Sequence, residues 1–162
     1  MIVYAMRHGE AETKAESPKK SDQSRRLTSE GRKQVKNVCE VAKTLGARPN
    51  VIISSPFVRA KQTAEIASGI LNTDADLKSD NCLEPGSSVD EIYMALSKLK
   101  KNDEVVLVTH LPILGHFIAD FVSWKGVPAN LEMENGAMMK IVCKGTLPKS
   151  GSGEMIWLLP KT

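Results

Sequence analysis

Short apolar segments alternate with helix-like segments along the whole chain, and this alternation limits the fold more than any other feature. Ile2–Met6, Val51–Ser54 and Glu104–Thr109 are short and rich in β-branched residues, as buried strands are. Helices are predicted to begin near Thr28, at Ser55-Pro56, at Ser88 and after Pro112. Strands that alternate with helices predict an α/β fold: a mainly parallel central sheet with helices on both faces, in three α/β/α layers.

The C-terminal part of the chain predicts a different edge to this sheet. Ala137–Cys143 and Met155–Leu159 are two further candidate strands, joined by a turn rich in Gly and Ser around Ser150–Gly153. Such a pair forms an antiparallel edge. At 162 residues without an internal repeat or linker, the chain is expected to form a single domain over residues 1–162.

Composition excludes several classes of protein. A net charge of +3, without zinc-finger spacing or a basic repeat, does not indicate a nucleic-acid partner. No apolar run approaches the ~20 residues that span a bilayer, so no membrane association is expected. Cys39, Cys82 and Cys143 are odd in number and far apart, which favours buried free thiols in a reducing, cytoplasmic compartment. Nothing in the sequence requires more than a monomer.

Cationic residues and histidines follow each of the three predicted parallel strands. Arg7 and His8 come directly after the first strand, Arg59 lies five residues beyond the second, and His110 follows the third. In open α/β sheets, sites form beyond the carboxyl ends of the strands. We therefore expect these four side chains to converge at one edge of the sheet.

The chemistry of this set suits a phosphoryl group. Arginine presents a planar fork of N–H donors to phosphate oxygens, and a helix N-terminus near Pro56 adds partial positive charge. Nearby positive charge lowers the pKa of a histidine, and a neutral imidazole is a nucleophile. His8 is thus the candidate nucleophile, with Arg7, Arg59 and His110 stabilising the charge on the transferring group without a metal or other cofactor.

The motifs that carry these residues resemble those of the histidine phosphatase superfamily. They are Arg7-His8-Gly9, Leu27–Gly31 (LTSEG), Ser54–Ala64 (SSPFVRAKQTA) and Thr109-His110. Their order and spacing match over nearly the whole chain, and the compact length resembles the short SixA-type phosphohistidine phosphatases in particular. The resemblance implies a covalent phosphohistidine on His8 and a phosphate pocket of Arg7, Arg59 and His110.

The same resemblance implies a substrate and shows one departure. Without long insertions over the site, the chain resembles enzymes that accept phosphohistidine on a protein, here a phosphotransfer (HPt-type) domain or another phosphocarrier. The subgroup often has Arg-Pro-Leu-Thr where this chain has Arg25–Thr28 (RRLT). The missing proline puts a phosphate-contacting role of Arg25 in doubt.

The sequence offers three carboxylates as candidates for the general acid. Superfamily members commonly place one before the third helix, and Glu84 in Leu83-Glu84-Pro85 fits that position. Glu10 and Glu12 compete with it, and a loop carboxylate is as often merely solvated. An imidazole leaving group is far less basic than an alkoxide, so it needs less assistance from an acid.

The sequence is compatible with two other functions. A phosphatase for small phosphomonoesters uses the same residues, and a phosphate-dependent binding module would hold the phosphate without turnover. Residues 10–25 are expected to form a mobile surface loop, whose basic residues are either solvated or steer an anionic partner. These are Lys14, Lys19, Lys20 and Arg25, together with the adjoining Arg26. Residues expected to be structural are His116, Met133, Met138 and Met139.

Overall fold

A computed structural model describes residues 1–122 and 133–161. The strands are β1 (Ile2–Arg7), β2 (Val51–Ser54), β3 (Asp76–Ser79), β4 (Glu104–Thr109), β5 (Met138–Cys143) and β6 (Gly153–Leu159). The helices are α1 (Ser29–Thr44), α2 (Val58–Leu71), α3 (Val89–Ser97) and α4 (Ile113–Phe121), with short 3-10 turns at Asp22–Ser24 and Asn81–Leu83. In this described part of the chain, no helix combines the length and the apolar character needed to cross a membrane.

The strands form one mixed sheet in the order β3-β2-β4-β1-β5-β6. β3, β2, β4 and β1 run parallel to one another, whereas β5 pairs antiparallel with β1 and β6 antiparallel with β5. The predicted α/β fold with an antiparallel edge near the C-terminus is confirmed. The register pairs Arg7 with Thr109 and Ser54 with Val108, so β1, β4 and β2 end at the same level.

Alternate residues of the strands point to opposite faces of the sheet. Val3 and Ala5 of β1 pack on one face with α3 and α4, while Tyr4 and Met6 pack on the other with α1 and α2. The three predicted layers follow from this alternation. The three methionines predicted to be structural are buried, and so are the three cysteine thiols. His116 is exposed on α4.

Most predicted helix boundaries hold, and one is wrong. Thr28 caps α1 by accepting a hydrogen bond from Gly31 N, and Ser88 and Glu91 form the expected capping box of α3. α2 was expected from Pro56 but begins at Val58, with Phe57 in the N-cap position and no side-chain cap. Ser55 does not cap this helix.

Two segments differ from expectation because they lack an apolar pattern. β3 was not predicted, since all four of its residues are exposed on a polar sheet edge. Residues 10–25 are not a featureless loop: Ala11 forms a β-bridge with Leu27, and Ser17 is buried, with its hydroxyl bonded to the carbonyls of Lys14 and Ser21. Hydrogen bonds among polar groups, rather than apolar burial, hold this segment together and join it to α2, where Arg59 donates to Asp22.

Candidate active site

The ends of β1, β2 and β4 bring the candidate residues together. His8 N donates a hydrogen bond to Thr109 O (3.2 Å), and Ser55 N donates one to Val108 O (2.9 Å). The rings of His8 and His110 lie with their centroids 5.0 Å apart. Residues about 50 positions apart in the chain therefore meet at one edge of the sheet, as the strand pattern predicted.

The imidazole of His8 has a defined hydrogen-bonding state. Its Nδ1 lies 2.7 Å from Gly9 O, which can only accept, so Nδ1 carries the proton. Its Nε2 accepts a hydrogen bond from Arg59 Nε at 3.1 Å. Burial, followed by the charges of Arg59, Arg7 and Arg25, lowers the pKa of His8 to about 3, against the opposing effect of the Gly9 carbonyl. His8 is therefore neutral at physiological pH, with its lone pair on Nε2.

Arg59 is buried and connects His8 to the 10–25 segment. Besides its bond to His8, its two terminal nitrogens donate to Asp22 O (2.7 Å) and to Asp22 Oδ2 (3.0 Å). The Asp22 carboxylate also accepts from Arg25 (2.9 Å). Although partial burial raises the pKa of Asp22, the bonds to Arg25 and Arg59 outweigh that effect and lower it. The ionised Asp22 carboxylate thus accepts a hydrogen bond from the Arg59 guanidinium that an oxyanion could otherwise accept.

Arg7 and His110 each present a buried nitrogen without a partner among residues 1–122 and 133–161. Arg7 donates one terminal N–H to Met133 O (2.8 Å), whereas its Nε is unpaired. His110 Nε2 lies 2.8 Å from Ser55 Oγ, and its Nδ1 is unpaired. Burial, together with the neighbouring His8 and Arg59, lowers the pKa of His110 to about 3. Buried polar groups without partners are rare in folded proteins, and these two flank His8.

The three candidate acids lie differently. Glu84 ends the 3-10 turn whose Leu83 carbonyl accepts a hydrogen bond from Thr109 Oγ1 (2.7 Å), so its backbone adjoins the site edge. Across the described ranges, no hydrogen bond or ion pair joins the Glu84 carboxylate to His8 or His110. The carboxylates of Glu10 and Glu12 bind the Thr28 hydroxyl and the Arg26 backbone N–H, both 3.0 Å away.

Among the described residues, the basic side chains of residues 10–25 and the adjoining Arg26 make no hydrogen bond to His8. Arg25 is half-buried and donates its Nε to Glu12 O as well as binding Asp22. Lys14, Lys19, Lys20 and Arg26 are exposed. In the described part of the chain, no group of three or more His, Cys, Asp or Glu side chains is arranged to hold a metal ion.

Asp22 and Ser55 are two site residues that the sequence did not indicate. Asp22 lies in a polar stretch without periodicity, and nothing in that stretch shows that it reaches Arg59. Ser55 was interpreted as a helix cap because it precedes a proline. The apolar pattern of the helix starts only at Ala60, five residues after Ser55. That distance is the signal that could have shown that Ser55 does not cap the helix.

Comparison with known protein families tests the resemblance. The model of the histidine phosphatase superfamily (branch 1) matches residues 3–84, which is half of the chain and extends from β1 through α1, β2 and α2 to β3. The chain belongs to the histidine phosphatase superfamily. The predicted phosphatase is thereby confirmed as a class of enzyme.

Individual relatives within the superfamily are phosphohistidine phosphatases. The chain is 28% identical over 159 residues to phosphohistidine phosphatase SixA of Escherichia coli (strain K12), covering 97% of this chain and 92% of that protein. It is 30% identical over 133 residues to a SixA homolog of Haemophilus influenzae, covering 74% and 76%. The solved structure of the protein histidine phosphatase SixA complexed with tungstate superposes with a TM-score of 0.83 at 26% identity, over 99% of this chain and 97% of that one.

Proposed function

We propose that this protein is a protein phosphohistidine phosphatase that removes phosphate from a phosphohistidine on an HPt-type domain or another phosphocarrier. The observation that supports this most directly is the state of His8. Its ring is neutral, its Nδ1 proton is held by Gly9 O, and its Nε2 lone pair points at the Arg59 guanidinium. A phosphoryl group bound to that guanidinium would meet the lone pair once the Arg59 Nε–H turns away from His8.

The proposed reaction has two transfers. In the first, His8 Nε2 forms a bond to phosphorus while the bond from phosphorus to the substrate imidazole nitrogen breaks, and that nitrogen takes up a proton. In the second, water attacks phosphorus, the bond to His8 Nε2 breaks, and inorganic phosphate leaves. Phosphoryl transfer passes through a loose state with charge on the equatorial oxygens. In this proposal, Arg7, Arg59 and the His110 ring donate hydrogen bonds to those oxygens.

Glu84 is the proposed source of any proton that the leaving group requires. Its backbone adjoins the C-terminal end of β4. Because an imidazole leaves more readily than an alkoxide, this assistance contributes little with phosphohistidine and more with phosphomonoesters. Replacing Glu84 with Gln is therefore expected to reduce hydrolysis of esters more than that of phosphohistidine.

Support for a protein substrate comes from the relatives and from the chemistry of the bond. Two relatives are named as phosphohistidine phosphatases, and the structural neighbour binds tungstate, a tetrahedral oxyanion as phosphate is. Hydrolysis of small phosphomonoesters is the second candidate, since the same set of Arg7, His8, Arg59 and His110 could perform it.

The decisive experiment follows phosphate through the protein. Wild-type protein is mixed with a radiolabelled phosphorylated HPt domain, and samples quenched in alkali are examined for acid-labile phosphate on this chain. We expect transient labelling followed by release of phosphate, and neither with His8→Ala. An unchanged rate in His8→Ala would refute the mechanism.

Two further measurements separate the alternatives. Labelling without release would indicate a phosphate-binding or phosphate-accepting module rather than a phosphatase. Comparing kcat/KM for the phosphorylated HPt domain with kcat/KM for sugar phosphates distinguishes a protein substrate from small phosphomonoesters. A higher value for the sugar phosphates would contradict the proposed substrate class.

A further inference from the structure

We propose that Ser55 is a positioning residue that fixes the tautomer of His110, so that His110 presents an Nδ1–H donor to the transferring phosphoryl group. This inference rests on the proposed phosphatase function and assigns a role within it to a side chain outside the four residues already discussed. It follows from counting the hydrogen bonds of one buried hydroxyl.

Within the part of the chain that the structure describes, the Ser55 hydroxyl has a single acceptor within reach. Ser55 is fully buried, and its Oγ already accepts a hydrogen bond from Phe57 N at 3.3 Å. The hydroxyl proton still needs an acceptor, because a buried donor left unpaired loses its hydrogen bond to water without replacement. Among the described residues, the acceptor near that proton is His110 Nε2, at 2.8 Å. The Ser55 hydroxyl therefore donates to Nε2, although distance alone would allow either direction.

The direction of this bond determines where the His110 proton lies. A neutral imidazole carries one N–H, and burial keeps His110 neutral. With Nε2 acting as an acceptor, the proton must be on Nδ1. That nitrogen is the buried one without a partner in the described structure, in a ring whose centroid lies 5.0 Å from that of His8.

An Nδ1–H donor suits an oxyanion, whereas the opposite tautomer does not. With the proton on Nε2, the ring would turn a lone pair toward the phosphoryl oxygens and repel them. With the proton on Nδ1, a bound phosphoryl group satisfies a buried donor that is otherwise unpaired. The Ser55 hydroxyl thus selects one of the two neutral tautomers of His110, the one that donates from Nδ1. In many sites the hydrogen bond at one ring nitrogen of a histidine determines the protonation of the other in this way.

The local fold holds Ser55 in this position. Its backbone N–H donates to Val108 O at 2.9 Å, which anchors the end of β2 to β4 two residues before His110. Pro56 follows, and α2 starts only at Val58. Ser55 is therefore free of the capping role for which a serine before proline would otherwise be used.

The test reads the tautomer directly. The chain has three histidines, so protein labelled with nitrogen-15 histidine gives a simple long-range proton–nitrogen spectrum. We expect the His110 cross-peaks of the wild type to show protonated Nδ1 and unprotonated Nε2. A wild-type spectrum with the proton on Nε2 would overturn the proposal, whatever the activity.

Ser55→Ala and Ser54→Ala form a matched pair for the second part of the test. Ser54 is the last residue of β2, directly before Ser55, and it is also buried. Its hydroxyl lies 3.3 Å from Ser79 Oγ rather than near His110. Ser55→Ala is expected to populate both tautomers and to lower kcat/KM by on the order of tenfold or more, since removing one oxyanion donor outright costs about 10²- to 10³-fold. Ser54→Ala is expected to change neither.

The outcomes separate this proposal from the proposed function. Retention of the Nδ1–H tautomer and of full activity in Ser55→Ala would reject the role of Ser55 while leaving the phosphatase intact. If the wild type neither hydrolyses phosphohistidine nor becomes labelled on His8, the function fails instead, and the spectrum still reports whether Ser55 sets the tautomer.

Discussion

Arg59 contacts both the candidate nucleophile and an acidic side chain of its own protein. Its Nε donates to His8 Nε2, so the lone pair that would attack phosphorus is occupied in this state. Its terminal nitrogens bind the backbone carbonyl and the carboxylate of Asp22. For an oxyanion to bind, it must compete with the Asp22 carboxylate, and Arg59 must turn its Nε–H away from His8.

Replacing Asp22 with Asn should therefore strengthen oxyanion binding. The variant keeps the backbone carbonyl contact to Arg59 but removes the competing charge. Because the Asp22 side chain is 48% exposed, the ion pair is weak, and we expect the dissociation constant for tungstate to fall only roughly two- to tenfold. Isothermal titration of tungstate measures this change directly.

Glu16→Gln is the control for Asp22→Asn. It removes the same charge from the same segment, but the Glu16 carboxylate binds Thr13 and not Arg59. Tungstate affinity should stay close to that of the wild type. Equal gains in the two variants would attribute the effect to net charge, and weaker binding in Asp22→Asn would make Asp22 a ligand rather than a competitor.

These residues differ in how far the sequence could reveal them. Arg7, His8, Arg59 and His110 were predictable together because each follows a strand end, and parallel strand ends share one edge. The contacts of Asp22 and Ser55 depend on the path of polar segments that no periodic pattern describes. The tautomer of His110 in particular follows from a 2.8 Å contact between atoms 55 residues apart.

The N-terminal end of α1 holds the turn that carries His8. Thr28 N donates to Glu10 O at 3.0 Å, and the helix packs so closely that a Cβ at Gly31 would lie 2.0 Å from that same carbonyl oxygen. A Cβ at Gly9 would lie 2.6 Å from Gly31 O. Two backbones thus meet without side chains between them, and the position of His8 depends on this contact.

Gly31→Ala and Gly69→Ala are expected to change stability in opposite directions. The methyl group at position 31 meets backbone that cannot move aside without shifting the His8 turn, so we expect a loss of about 1–3 kcal/mol and reduced kcat. Gly69 lies in α2 with open space around its Cβ position, so alanine there should add about 0.5–1 kcal/mol. Urea denaturation measures both, and destabilisation by Gly69→Ala would contradict the helix-propensity argument.

At the scale of elements, the sequence predicted what apolar burial determines and missed what it does not. β1, β2 and β4 are buried and were found within a residue of their ends. β3 is exposed at the sheet edge, where pairing with β2 rather than side-chain pattern defines it. The start of α2 was misplaced because the sequence of Ser55-Pro56 fits a cap equally well.

The sheet as a whole concentrates buried histidines and arginines at one edge, and this arrangement has a cost that depends on pH. His8 and His110 are 6% and 2% exposed, and burial lowers the pKa of each from its ordinary value of 6.5 to about 3. Below pH 6.5 the unfolded chain binds protons on both rings, whereas the folded chain binds them only near pH 3. The free energy of unfolding is therefore greatest above pH 6.5 and falls as the pH decreases toward 3.

Between pH 7 and pH 5 we expect the free energy of unfolding to fall by about 2 kcal/mol for each of the two histidines. Carboxylates such as Asp22 and Asp103, whose pKa values are lowered from 3.8, lose their stabilising effect only below that window. Urea denaturation at both pH values gives the difference for the wild type, and His8→Asn should show about half of it because one titrating ring is gone. An equal pH dependence in the wild type and in His8→Asn would mean that His8 is not held neutral by the fold, which would also remove the physical basis for its reactivity.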